Sequence, residues 1–341
     1  MESAISKPQS SAWSRSANRI AAIGRLTATE GLRQPSFFLI LAVSAGLTAL
    51  SPSFAFFHLG EEAKMVTDLG LSTILTFTTL LAVLTASATV TDEIEGRTAL
   101  TMLSKPLRRE EFLIGKYLGV AITGCAMAIA VAPVLLLTIR SQKYLNEEQD
   151  PYFTRGVLGA VVLGLALFGV FMVTRLTFGR GLSLINAFWV GYAVFTAAAF
   201  GILTVHPGVA VWDWRLLLGI VLICLHICVV AAMAVALATR CTLVQSALGT
   251  AAFFLVGHAS GSLVAPFRDS AHHLSVFGSV LRAILPDLDQ FNITDALATA
   301  YLDRPIPIPW DIVAGSSLYA ALYAGALLAI GIALFSKREL G

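Results

Sequence analysis

Cys224-Leu-His-Ile-Cys228 is the arrangement that comes nearest to a metal-ligand set in this sequence. On a helix, positions i and i+4 share a face, while i+2 points about 200° away. Cys224 and Cys228 are therefore placed to meet a neighbouring helix together, and His226 is not. Small buried thiols are the simpler reading. His258, with Ser260 and Ser262 close by, lies in an apolar stretch. An intramembrane polar residue is a functional candidate, and an interhelical hydrogen bond is the structural alternative. Asp269, His272 and His273 read as a solvated surface. Asn292-Ile-Thr294 fits a glycosylation sequon, which matters only in a secretory pathway. No Ser/His/Asp set and no pair of carboxylates falls inside the apolar stretches, so no catalytic site is expected. A GxxxxGK[ST] phosphate loop does not occur, so no nucleotide or other cofactor is expected on this chain. The run Gly179-Arg180-Gly181-Leu182-Ser183 lacks the phosphate-binding Lys and reads as a tight turn.

Composition dictates the elements that must hold these residues. Of 341 residues, 57% are hydrophobic and 13% charged, and the mean hydropathy is +0.79. Soluble domains carry roughly 25% charged residues, so the natural solvent for this chain is a bilayer. The four cysteines, Cys125, Cys224, Cys228 and Cys241, lie in or beside apolar segments and imply no disulfide framework. Without a basic run or a basic face interleaved with aromatics, nucleic acid is not an expected partner.

A spanning helix needs about 20 mainly apolar residues. Eight stretches qualify: 36–59, 69–91, 112–139, 156–177, 182–204, 214–238, 243–264 and 312–335. The expected fold is all-α, a polytopic transmembrane helix bundle of eight spans. Lys116 is the one Lys, Arg, Asp or Glu well inside a stretch, about one turn from its end, where a long side chain can snorkel. With the N-terminus on the cytoplasmic side, 15 of the 23 basic residues fall on that side and 13 of the 21 acidic residues on the other. The positive-inside rule then puts both termini in the cytoplasm. No internal repeat is visible, which does not favour an inverted-repeat secondary transporter.

Three regions do not span. Residues 1–35 form a cytoplasmic leader. Within it, 14–34 reads as a modestly amphipathic interfacial helix ended by Pro35, with Ile20, Ile23 and Leu26 on one side and Arg19 interrupting the apolar face. The first apolar stretch is too long for a signal-peptide core and is read as a retained span. The remaining chain, 36–341, is the membrane domain. It contains a cytoplasmic loop at 92–111 and an outer segment at 265–311, in which Leu274 to Leu285 is too short to span and suits a re-entrant or interfacial helix ending at Pro286.

The stretch from Thr91 to Gly119, TDEIEGRTALTMLSKPLRREEFLIGKYLG, is the most informative. Asp92, Glu93 and Glu95 suit the positive end of a short helix dipole. Thr98, Ala99, Leu100, Met102 and Leu103 supply a small apolar surface, and Pro106 stops the helix. The result is an elbow between two spans, with an apolar patch that invites a protein partner.

Here the chain resembles the ABC-2 type permeases, closest in wording to their multi-copper enzyme maturation-like branch. The places that carry the resemblance are Glu93, Thr98, Leu103 with Ser104, Pro106, Arg109, and Gly115 with Lys116. Met102 stands where the pattern has a first Leu, and Arg97 where many members have Gly. Leu285-Pro-Asp-Leu-Asp-Gln-Phe291 is similar to the outer motif before the last span, and Phe335-Ser-Lys-Arg-Glu339 to the basic ending. The resemblance covers the first three stretches well, the last quarter fairly and the middle weakly. The common architecture of that family has six spans; an inserted hairpin around 156–204 would reconcile six with eight.

The resemblance implies a permease subunit of an ATP-driven exporter in the cytoplasmic (inner) membrane. Residues 92–104 would be a coupling helix docked on a separate P-loop ATPase subunit, which would bind the ATP and Mg. Glu93, Glu95, Thr98, Leu103, Ser104, Pro106 and Arg109 would serve that coupling. A second copy of the permease chain would complete a homodimer within membrane lipid. Residues 271–301 would gate the exit, with Leu285, Pro286 and Phe291 as gate candidates. The alternatives are an ATP-independent transporter, which should show ionisable residues deep in its spans, and a membrane scaffold that moves nothing.

Overall fold

A computed structural model of the chain describes residues 12–54, 62–91, 93, 108–148, 192, 215–268, 285–292 and 310–336. Among them are seven α-helices: α1 (Ala12–Gly31), α2 (Pro35–Phe54), α3 (Glu62–Ala86), α4 (Arg109–Glu148), α5 (Arg215–Ala238), α6 (Leu243–Arg268) and α7 (Trp310–Ser336). A π turn, Ser87–Thr91, extends α3, and a single 3-10 turn, Asp289–Phe291, precedes α7. No strand occurs among the described residues. Six of the helices, α2 to α7, are long and apolar enough to cross a membrane, so the described part is a helical membrane bundle.

These six coincide with the stretches at 36–59, 69–91, 112–139, 214–238, 243–264 and 312–335. The stretch 156–177 lies outside the described residues. So does 182–204 apart from Tyr192, whose hydroxyl donates to the Ala130 carbonyl of α4. Pro133, inside α4, removes one ladder N–H in this neighbourhood. Helix ends overrun the apolar stretches: α3 starts at Glu62 and α4 continues to Glu148. Hydropathy marks what lipid accepts, whereas a helix propagates by its own hydrogen bonds into polar ends.

Helices α3, α4 and α5 pack on one another and form the centre. α2 leans on α3 and α4, α6 on α5, and α7 on α5 and α4. Phe37, Phe38, Leu81, Leu113, Met127 and Leu222 are among the buried side chains that fill the centre. Hydroxyls in the interior bond back along their own helices: Thr78 donates to the Ile74 carbonyl (2.6 Å), Thr123 to Gly119 (2.9 Å) and Thr250 to Ser246 (2.8 Å). At these three positions threonine enters the apolar core with its hydroxyl satisfied, whereas the buried hydroxyls of Thr27, Thr48, Thr79 and Thr85 have no hydrogen-bond partner among the described residues. The outer faces of α6 and α7 are bare hydrocarbon: Leu248, Leu255 and Leu322 are each 66% exposed. Such faces suit lipid rather than water.

α1 is a helix, and its apolar side is turned to α4. Ser16 meets Glu111, Ile23 meets Gly115, Thr27 meets Gly119 and Gly31 meets Thr123. The matching order of these pairs means that the two helices run in the same direction. The contact needs glycine: a Cβ on Gly119 would lie 2.4 Å from the Thr27 Cβ and 2.9 Å from the Gly24 carbonyl oxygen. Small residues let two backbones approach, as in packed membrane helices.

Candidate functional site

Two places gather polar groups: the foot of the 92–111 elbow, and a cleft under residues 285–292.

At the foot of the elbow, the π turn Ser87–Thr91 carries the chain from α3 to Glu93. The Glu93 carboxylate accepts a 2.6 Å hydrogen bond from the Lys116 ammonium of α4. Lys116 is 1% exposed, and its ammonium also sits 5.7 Å from the centre of the Phe112 ring. The expected snorkelling is therefore corrected: Lys116 does not reach water, because a carboxylate is delivered to it. One turn below, Glu111 is buried and accepts from the Ser16 hydroxyl (2.6 Å), with the Arg19 guanidinium 3.5 Å away. Arg19, which interrupts the apolar face of α1 in the sequence, has this carboxylate as its reason.

Arg109 donates to the Phe335 and Ser336 carbonyls at 3.0 and 2.9 Å and stacks over the Phe335 ring. Arg240, just past α5, donates twice to the Leu334 carbonyl, at 3.0 and 2.7 Å. Two guanidinium groups thus hold the carbonyl end of α7, where cations complement the helix dipole. Replacing both arginines by Ala is expected to speed backbone amide exchange several-fold in the last turn of α7 and to leave its first turns unchanged, as read by hydrogen exchange.

Of the coupling candidates, Glu93 and Arg109 are described and face inward, toward α4 and α7. Glu95, Thr98, Leu103, Ser104 and Pro106 lie outside the described residues. The Gly115-Lys116 pair has two separate uses: Gly115 admits Ile23 of α1, and Lys116 takes Glu93.

The cleft is built from α3, α5, α6 and the 285–292 segment. This segment dips into the bundle. The Leu288 N–H donates to the Gly257 carbonyl (3.2 Å) and the Asp287 N–H to the Tyr319 hydroxyl (2.8 Å). Gly257 lies about three turns, roughly 16 Å of helix rise, inside the Arg268 end of α6. Non-helical backbone at that depth is tolerated where protein buries it and satisfies its groups. Pro286 and Phe291, two of the gate candidates, are buried, and Leu285 is partly exposed. Leu288, which was not singled out, is fully buried and makes the anchor. Its reach depends on Gly257, whose absent Cβ would meet the Leu288 Cδ1 and Cγ at 2.5 Å. The expected helix at 274–285 lies outside the described residues apart from Leu285, as does most of 271–301.

Leu71, Leu75, Ile223, Leu288, Phe254 and Phe291 give the cleft its apolar walls, and its volume is about 220 Å³. Ser72, Thr76 and Asn292 stand at exposed positions on its lining. Two imidazoles complete it. His226 is fully buried, with its ring centre 5.4 Å from that of His258. The rings of Phe254 and Phe291 stand nearly perpendicular to it, with ring centres 5.6 and 5.9 Å away. Neither of its ring nitrogens has a hydrogen-bond partner, nor does Nε2 of His258. Each such group costs about 1–3 kcal/mol when left unsatisfied in a buried site. A largely apolar cleft with a few convergent polar groups is the usual form of a small-molecule site.

As the i+2 spacing predicts, His226 faces away from the cysteines. Cys224 lies against α4, where the Cys125 thiol donates to its carbonyl oxygen (3.8 Å). No group of three metal-ligating side chains occurs among the described residues. The His226–His258 pairing joins helices whose relative placement no local spacing encodes. The sequence signal was a polar residue at mid-depth in each of two apolar stretches. Compared with known proteins, the sequence matches no protein-family model and no curated protein.

Proposed function

We propose that the chain is the membrane-spanning permease subunit of an ATP-driven exporter in the cytoplasmic membrane, with both termini inside and the 92–111 elbow docked on a separate P-loop ATPase. A second permease chain completes the assembly, and the ATP and Mg belong to the ATPase. The resemblance of 91–119 to the ABC-2 type permeases is the source of this reading. The observation that carries it further is the convergence at the foot of the elbow. Glu93 ties the end of α3 to α4, Glu111 ties α4 to α1, and Arg109 ties α4 to the end of α7. A push on this loop is delivered to four helices through short polar contacts, which is what a coupling element requires. The 285–292 segment, seated between α6 and α7, would then open or close on the other side.

One observation favours a second reading, an ATP-independent transporter. The His226–His258 and Lys116–Glu93 pairs, in which His226 and Lys116 are buried and their partners partly so, are ionisable groups at the apolar interior, where such groups mark transport pathways. A single experiment separates the two. The tagged chain is purified in mild detergent from its native membrane, and accompanying proteins are identified by mass spectrometry. A stoichiometric P-loop ATPase is expected, and Leu103→Arg, placed on the apolar patch of the elbow, is expected to release it. If no ATPase follows a chain that keeps its fold, the ATP-driven reading fails and the second replaces it.

A further inference from the structure

We propose that the cleft between α3, α5, α6 and the 285–292 segment binds a neutral, hydroxyl-bearing apolar group, whose hydroxyl donates to His258 Nε2 while Phe254 and Phe291 flank its hydrocarbon body.

The tautomer of His258 sets the chemistry. Its Nδ1 lies 3.0 Å from the Phe254 carbonyl oxygen. A carbonyl only accepts, so Nδ1 carries the proton, and Nε2 of the neutral ring presents a lone pair. That Nε2 is buried and without a partner. His226, also buried, brings one donor and one acceptor, both unused. The cleft therefore asks for a group that gives one hydrogen bond and can take another, which a hydroxyl does.

The remaining lining narrows the class. Among the described residues that line the cleft there is no Lys, Arg, Asp or Glu, so from them an anion finds no cation and a cation no carboxylate. A metal ion would have two imidazoles and no third ligand among the described residues. Water alone underfills the space: a water occupies about 30 Å³, and an engineered apolar cavity of about 150 Å³ holds benzene. At about 220 Å³ the cleft has room for a ring the size of phenol or a short branched alcohol. Such a group can be a whole small molecule or the hydroxyl end of a longer one. Ser72 and Thr76, on the exposed side of α3, mark where a longer molecule would leave. This inference goes beyond the ATP-coupled reading and does not depend on it, since binding needs no partner subunit.

The test uses the full chain in lipid nanodiscs, labelled with ¹³C and ¹⁵N in its six histidines. Phenol is titrated and the imidazole signals are followed, with toluene as the matched control. The expected result is a saturable shift of the His226 and His258 signals, with Nε2 of His258 moving in the direction of an accepted hydrogen bond. The other four histidines stay in place, and toluene at the same concentration does not reproduce the shift. Thr76→Trp, which fills the mouth from an exposed position, is expected to abolish the phenol-dependent shift. His258→Phe is expected to abolish the response of His226. A cleft that holds only water would give no phenol shift, and the proposal would be overturned. An equal shift with toluene, or a shift that survives Thr76→Trp, would overturn it as well. The copurification of an ATPase bears on neither result.

Discussion

Glu93→Gln is expected to destabilise the chain by about 3–5 kcal/mol, because it leaves a buried ammonium without its counter-charge. Lys116 is 1% exposed, and the 2.6 Å contact with Glu93 is its ion pair. Lys116→Met is expected to cost less, since Glu93 is 19% exposed and lies nearer to water. The double variant is expected to recover most of the loss, as replacing a buried pair with apolar or neutral groups often does. Apparent melting temperatures of the purified chain in one detergent should therefore rise in the order Glu93→Gln, Lys116→Met, double variant. Equal melting of Glu93→Gln and the wild type would mean that the pair does not hold α3 to α4. The cycle also protects the partner experiment: a charge reversal at Glu93 would confound loss of folding with loss of docking, so Leu103→Arg is the cleaner probe.

Gly257→Leu is expected to expel the 285–292 segment from the bundle. Even the first carbon of a side chain would lie 2.5 Å from Cδ1 and Cγ and 3.2 Å from Cβ of Leu288, so the whole residue must leave. Overpacking of this kind costs about 1–3 kcal/mol. The hydrogen bonds to the Gly257 carbonyl and the Tyr319 hydroxyl go with it, at about 0.5–1.5 kcal/mol each. The measurement is labelling of a reporter cysteine. Phe291→Cys, at a buried position, should react slowly with a water-soluble maleimide in an otherwise wild-type chain and several-fold faster when Gly257→Leu is added. Unchanged labelling would show that the segment does not depend on this close approach. Gly257→Ala provides the graded case, with an intermediate rate expected.

The membrane helices were legible because lipid imposes one rule on every residue of a span. A run such as Leu216 to Ala238 carries no charge and admits no other reading. Contacts between spans follow no such rule. Glu93 and Lys116 are 23 residues apart, and nothing local announces that a π turn will aim one at the other. Arg19 breaks an amphipathic face because its partner, Glu111, belongs to α4, three helices later. The i+2 argument correctly separated His226 from Cys224 and Cys228, since it depends on one helix alone. It could not find His258, which depends on how α5 and α6 sit together. Length, too short to span, marked Leu274 to Leu285; the depth of the 285–292 segment that follows it was not legible in the sequence. Its anchor required knowing that a residue without a side chain, Gly257, waits opposite Leu288.

The parallel seam between α1 and α4 has a consequence for how the chain is made. Ser16 and Glu111 are 95 residues apart. At about 5–20 residues per second of synthesis, the surface that α1 covers emerges roughly 5–20 seconds after α1 itself. During that interval Ile20, Ile23 and Gly24 wait for the α4 surface that they pack against, while α2 and α3 are being placed. Assembly at this corner therefore runs backward along the sequence: the earliest helix is the last of the first four to find its seat, and its docking reports that the helix carrying Gly115 and Gly119 has arrived.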